Sequence, residues 1–161
     1  MTIPRYTGTC ELLCDIDVGS LVSWIADIPY EDWPQQHRLS DGKLRPAMAC
    51  DQQWHGFASV TDPLVADLMA RFPGCIADTR MLSAVMPGHS IASHRDAQGS
   101  AWRCRVHVPL LTNSLSSFMV GGVNNHLEPG KAYLVNTEAE HAVTNDGQTP
   151  RVHFMFDVRL G

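Results

Sequence analysis

Two histidines and one aspartate have the chemistry and spacing to gather around a metal ion. His94 and Asp96 flank Arg95, and His141 follows 47 positions after His94. In an extended segment alternate side chains point the same way, so His94 and Asp96 share a side and Arg95 faces the other. Two imidazoles and a carboxylate can hold one face of Fe(II) and leave the opposite positions open for O2 and a co-substrate. Arg151 stands ten positions after His141. Its planar fork grips a carboxylate at two points, which suits the far end of a dicarboxylic acid. The chemistry these residues imply is that of an iron oxygenase using 2-oxoglutarate.

Such a site needs several strands to carry it. From residue 80 onward the chain reads as short strands at 80–86, 102–111, 116–120, 131–135, 141–144 and 151–159. Turn formers punctuate them: Pro87-Gly88, Gly121-Gly122, Asn124-Asn125, Pro129-Gly130 and Asn145-Asp146-Gly147. Many short strands at this spacing imply a mainly β fold, a jelly-roll barrel, with helices packed outside it. The first half predicts a strand at 8–15 and a helix at 17–28 capped by Asp15 or Asp17, with Leu21, Trp24, Ile25 and Ile28 on one face. Residues 29–45 read as a polar loop. A second helix is expected at 62–71, with Thr61 or Asp62 as cap and Pro63 in the first helical position. The 161 residues then form a single domain, 1–79 supporting a core barrel at 80–161.

Alternation sharpens the choice of residues. In 102–108, Trp102, Cys104, Val106 and Val108 share one face, and Arg103, Arg105 and His107 the other. In 151–158, Val152, Phe154, Phe156 and Val158 lie opposite Arg151, His153, Met155 and Asp157. For one strand a cationic face suggests solvent; two such strands with little lysine or glutamate suggest a polar barrel interior. Buried arginine needs a partner, or the cost is several kcal/mol. A bound dicarboxylate would supply one. A second triplet, His126-Leu127-Glu128, lies between Asn124-Asn125 and Pro129-Gly130 and reads as a solvated hairpin turn.

The ordered set of motifs resembles the aspartyl/asparaginyl β-hydroxylase family of the double-stranded β-helix (cupin-like) oxygenases. The match runs through Ser83, Met86-Pro87-Gly88-His89, His94-Arg95-Asp96, Cys104-Arg105-Val106-His107, Leu127-Glu128-Pro129-Gly130-Lys131, Glu140-His141 and Arg151 with Phe154-Met155-Phe156-Asp157-Val158. The resemblance implies that His94, Asp96 and His141 ligate Fe(II). It implies that Arg151, assisted by Ser83, holds the distal carboxylate of 2-oxoglutarate, with Arg105 and His107 contacting that co-substrate near the metal. Some members lack the carboxylate ligand; this chain has it.

Arg103, on the face of Arg105 and His107, is a candidate for recognising a second carboxylate, that of an amino-acid substrate. Hydroxylation of a free amino acid or a small derivative is the preferred reading, with Asp or Asn side chains of a peptide second. Three other classes stay open: a non-catalytic cupin-like binding protein, a zinc hydrolase using the same three ligands, and a structural domain in which His94 and Asp96 are a surface pair. A net charge of −5 argues against a phosphate-binding surface. Ten of the 12 cationic side chains are arginine, Lys43 and Lys131 being the exceptions. Five cysteines without paired spacing, no apolar leader and no apolar run of membrane-spanning length point to a cytoplasmic protein.

Overall fold

In the computed structural model, residues 3–29, 32–33, 47–51 and 54–161 are described, the segment 47–51 by its backbone alone. The elements run β1 (Cys10–Asp15), α1 (Gly19–Ala26), β2 (Ala47–Asp51), α2 (Phe57–Met69), β3 (Cys75–Val85), β4 (His89–His94), β5 (Trp102–Leu111), β6 (Ser116–Val120), β7 (Val123–Asn125), β8 (Lys131–Val135), β9 (His141–Asn145) and β10 (Arg151–Leu160). The strands form two antiparallel sheets, one ordered β1-β8-β5-β10-β3-β2 and the other β4-β9-β6-β7. This is the expected mainly β, cupin-like jelly roll, with its two sheets not closed into one barrel.

The large sheet is buried on both faces. Leu82, Ala84, Val106, Val108, Phe154, Phe156 and Val158 pack with Leu21 and Ile25 of α1 and with Phe57, Leu64 and Leu68 of α2. A second apolar cluster joins Val85, Tyr133 and Val135 of the large sheet to Phe118, Val120 and Val143 of the small one. The first half of the chain thus does more than flank the barrel, since β1 and β2 supply both outer strands of the large sheet.

Several local expectations change. Helix α2 begins at Phe57, so Pro63 sits inside it and not at its start. An interior proline costs about 3 kcal/mol. The extra turn buries Phe57 completely against Phe154, at a ring separation of 6.0 Å, which offsets much of that cost. Thr61 is no cap; its hydroxyl donates to the Phe57 carbonyl at 2.9 Å within the helix. Residues 89–94, outside the expected strands, form strand β4, and 123–125, which include the expected Asn124-Asn125 turn, form β7. Helix α1 starts from Val18 with no side-chain cap bond, so neither Asp15 nor Asp17 caps it, although Asp17 accepts from the Gly19 amide at 2.9 Å. Most of the loop expected at 29–45 lies outside the described residues.

Candidate metal and oxo-acid site

The small sheet brings the two imidazoles together. Strand β4 pairs with β9 from Ile91↔Val143 to His94↔His141, three steps on one strand against two on the other. That bulge turns His94 to face its partner across the ladder, and the rings sit 4.2 Å apart. Asp96 follows on the exit from β4, its backbone amide donating to the Thr137 carbonyl at 2.9 Å. Its Oδ1 then lies 3.6 Å from His94 Nε2 and 4.0 Å from His141 Nε2.

The orientation of each ligand is fixed from behind. Nδ1 of His94 donates to the Ala92 carbonyl at 2.8 Å, and Nδ1 of His141 to the Ala139 carbonyl at 2.9 Å. A carbonyl can only accept, so both rings carry the proton on Nδ1 and turn an Nε2 lone pair toward Asp96. Burial lowers the pKa of His141, favouring the neutral ring that a metal requires. Of the described residues, only His94, Asp96 and His141 form a cluster with donor atoms close enough for one ion. Two neutral imidazoles and one carboxylate oxygen suit a divalent transition metal such as Fe(II).

His94, Asp96 and His141 open onto a cavity of about 500 Å³, and its deep end is made by the large sheet. Ser83 of β3, Arg105 and His107 of β5 and Arg151 of β10 line it, with Phe118 of β6 beneath. Arg151 is 3% exposed. Its Nη2 donates to His153 Nδ1 at 3.0 Å, and its guanidinium lies 5.4 Å from the centre of the Phe118 ring. No carboxylate of the described residues pairs with it. Burial accordingly pulls its pKa down to about 9. His107 stacks on Phe118 at 5.2 Å, and its buried Nε2 has no hydrogen-bond partner among the described residues. Burial, and then the charges of Arg105 and Arg151, hold its pKa well below the usual histidine value. A buried guanidinium without a carboxylate in this cavity fits a ligand that brings its own negative charge.

Arg105 is placed differently. Its Nε and Nη2 donate to the two oxygens of Asp157 at 2.9 and 3.0 Å, and its Nη1 to Asp96 Oδ2 at 2.6 Å. Burial lowers its pKa, but hydrogen bonds and charge from Asp157 and then Asp96 outweigh that and raise it. Arg103 leaves the group altogether. Between Val158↔Cys104 and Arg159↔Trp102 the β5 strand takes two steps to the other's one, so Arg103 is the extra residue of a bulge. It points to a separate groove beside Arg5 and Glu11, where its Nη1 donates to the carbonyls of Ser100 and Trp102. The expectation that it shares a face with Arg105 fails on that one inserted residue.

Two residues not named as site candidates complete the frame. Asp157, 1% exposed, lies on the polar face that alternation gave to Arg151 and His153. Asn145, read as part of a turn, is fully buried. Its Nδ2 donates to the Val85 carbonyl at 2.8 Å and to the Thr149 carbonyl at 2.9 Å, tying the end of β9 to β3 and to the approach to β10. It therefore helps to set the distance between His141 and Arg151. The second triplet is as expected: His126 and Glu128 are exposed.

A two-sheet jelly roll with this cluster has the architecture of the 2-oxoglutarate- and iron-dependent oxygenases. The viral collagen prolyl hydroxylase of Paramecium Bursaria Chlorella virus-1, solved as a 2-oxoglutarate complex, superposes with a TM-score of 0.64 at 8% identity, over 96% of this chain and 97% of that one. A Pseudomonas putida prolyl-4-hydroxylase gives 0.64 at 14% identity, over 96% and 94%. A Trichoplax adhaerens prolyl hydroxylase, complexed with a peptide fragment of hypoxia inducible factor, gives 0.63 at 11%, over 96% and 84%. At these identities the likeness is one of fold. No curated protein sequence matches the chain. Residues 48–160 match the aspartyl/asparaginyl β-hydroxylases, and the chain belongs to that family. It is therefore an enzyme of the 2-oxoglutarate-dependent hydroxylase class. No helix of the described residues is long and apolar enough to cross a membrane.

Proposed function

We propose that the protein hydroxylates an unactivated C–H of a free amino acid or a small amino-acid derivative, using Fe(II), O2 and 2-oxoglutarate, which leaves as succinate and carbon dioxide. The observation that carries this reading is the pairing of a three-ligand cluster with an unneutralised buried arginine in the same cavity. His94, Asp96 and His141 would hold the iron. Arg151 and Ser83 would hold the distal carboxylate of the oxo acid, and His107 would meet it nearer the metal. When bound, the iron and the oxo acid would supply the chemistry that activates O2, the oxidant, for C–H hydroxylation.

The chain's own residues do the positioning. Arg151, already desolvated, offers charge-assisted hydrogen bonds without first shedding water. Phe118, 3% exposed, closes the floor between Arg151 and His107 and keeps solvent from the deep end. The Nδ1 bonds of His94 and His141 stop either ring from rotating its lone pair away. A cavity of about 500 Å³ that must hold both an oxo acid and a target leaves space for a small molecule or one side chain. Asp or Asn side chains of a peptide are the second reading, favoured by the peptide seen with the Trichoplax adhaerens structure.

The test is succinate release across free amino acids and short peptides, with Fe(II) and ascorbate. One substrate should stimulate succinate well above the uncoupled rate. Without oxygen, adding 2-oxoglutarate to the Fe(II) protein should give a weak visible charge-transfer band. A folded, iron-loaded protein that shows neither contradicts the proposal. Turnover of a hydrolysable substrate without oxygen would favour the zinc hydrolase instead.

A further inference from the structure

The cluster of charges beside the metal ligands has an organisation that the three-ligand reading does not use. Asp96 divides its two oxygens: Oδ1 faces His94 and His141, and Oδ2 accepts from Arg105 Nη1 at 2.6 Å. Arg105 in turn is held by both oxygens of Asp157, at 2.9 and 3.0 Å, the two-point geometry that fixes a guanidinium plane. Asp157 is itself anchored. Trp102 Nε1 donates to its Oδ1 at 3.1 Å, and Arg159 Nη2 lies 3.6 Å from its Oδ2. Its backbone is fixed between β3 and β5, opposite Asp78 and Arg105.

We propose that Asp157 is a positioning residue for the metal site, acting through Arg105 to hold Asp96 as a single-oxygen ligand. Arg105 is thereby tied to two carboxylates of the protein, beside any contact it makes to the oxo acid. Occupying Oδ2 prevents Asp96 from swinging to offer both oxygens, which would consume a metal position that co-substrate or oxygen must enter. Because Asp157 presents both its oxygens, Arg105 cannot rotate about its side chain without losing two bonds together. Asp96 follows β4 on a connecting segment, with one backbone amide tie to Thr137, so it needs side-chain support that the strand-borne histidines do not.

The proposal rests on His94, Asp96 and His141 being metal ligands, and the test separates the two claims. The Co(II) dissociation constant is measured by competition titration, without oxo acid, for the parent and for Asp157→Asn and Arg105→Lys. Both are then repeated in an Asp96→Ala background, with melting temperatures recorded alongside. Each variant should bind Co(II) about 10–100-fold more weakly than the parent, the usual effect of removing an outer hydrogen-bond partner of a ligand. In the Asp96→Ala background neither should add more than about threefold, because residues acting through one another are not additive. Equal losses in both backgrounds, or unchanged affinity in the parent background, overturn the proposal. If Asp157→Asn does not fold, Arg105→Lys carries the test, since it keeps a cation beside Asp157 but cannot bridge two carboxylates with a planar fork. A folded parent without affinity for Co(II) overturns the metal-site reading, and this inference with it.

Discussion

The two ends of the cavity treat arginine in opposite ways. Near the metal ligands, Arg105 is held by Asp157 and Asp96, Arg159 by Asp78 and Asp157, and the pKa of Arg105 rises. At the deep end Arg151 has a neutral imidazole and an aromatic face but no carboxylate, and its pKa falls to about 9. Both side chains are largely removed from solvent, at 12% exposure for Arg105 and 3% for Arg151, so burial alone does not separate them. The difference is the counter-charge. A permanent part of the frame is neutralised within the chain, whereas a buried cation left without an anion suits the proposed site for an anion from outside. That asymmetry separates architecture from recognition more clearly than residue type does.

Substitutions at the two ends should therefore fail in different ways. The largest effect is at the ligands: His94→Ala should abolish metal binding and succinate formation together, read by metal content and product assay. Next comes Asp157→Ala, which removes the two-point partner of Arg105 and leaves it Asp96 as its remaining carboxylate. Breaking a buried pair costs about 3–5 kcal/mol, visible in urea unfolding of the ligand-free protein. Arg151→Met should do the reverse, leaving ligand-free stability unchanged or higher. Its oxo-acid affinity should drop by about 1.5–3 kcal/mol, the loss of hydrogen bonds to a charged group, measured by calorimetry. If Arg151→Met unfolds the ligand-free chain as readily as Asp157→Ala does, the contrast between the two ends disappears.

The pH response sharpens the same contrast at the deep end. Burial and neighbouring arginines push His107 and His153 well below the usual value, so both are neutral in the folded state at pH 7. The unfolded chain binds their protons below about pH 6.5. Folding therefore loses up to about 1.4 kcal/mol per pH unit for each histidine as pH falls through that value, and the full stability is present above it. Urea midpoints between pH 7.5 and 5.5 should record the loss, and His107→Asn should reduce its slope. The smallest effect belongs to Arg103→Ala, which should leave metal affinity, oxo-acid affinity and turnover within about twofold, because the β5 bulge turns that side chain out of the cavity.

How much of this was legible depended on what interrupts alternation. The apolar and polar faces of 102–108 and 151–158 follow from period two, and so do the barrel and the convergence of His107 with Arg151. Two misreadings sit where the period slips: an inserted residue in β5 removed Arg103, and a bulge in β4 broke the alternation that would have marked 89–94 as a strand. The long reach of α2 was illegible because Pro63 normally marks a helix start, and only tertiary burial of Phe57 outweighs that signal. Alternation put Asp157 on the face of Arg151 and His153, but its role was not legible. Its partners lie 52 and 55 positions away, on Arg105 and Trp102, beyond the reach of any local pattern.

Strand β4 has a consequence for the protein before it is loaded. It stands at the end of the small sheet's order, with β9 as its ladder partner, and it carries one of the three ligands. An ion bridging His94 and His141 would rivet this outermost strand to its neighbour. Metal loading would then stiffen an end strand of the small sheet, and stripping the ion should show as faster amide exchange along residues 89–94.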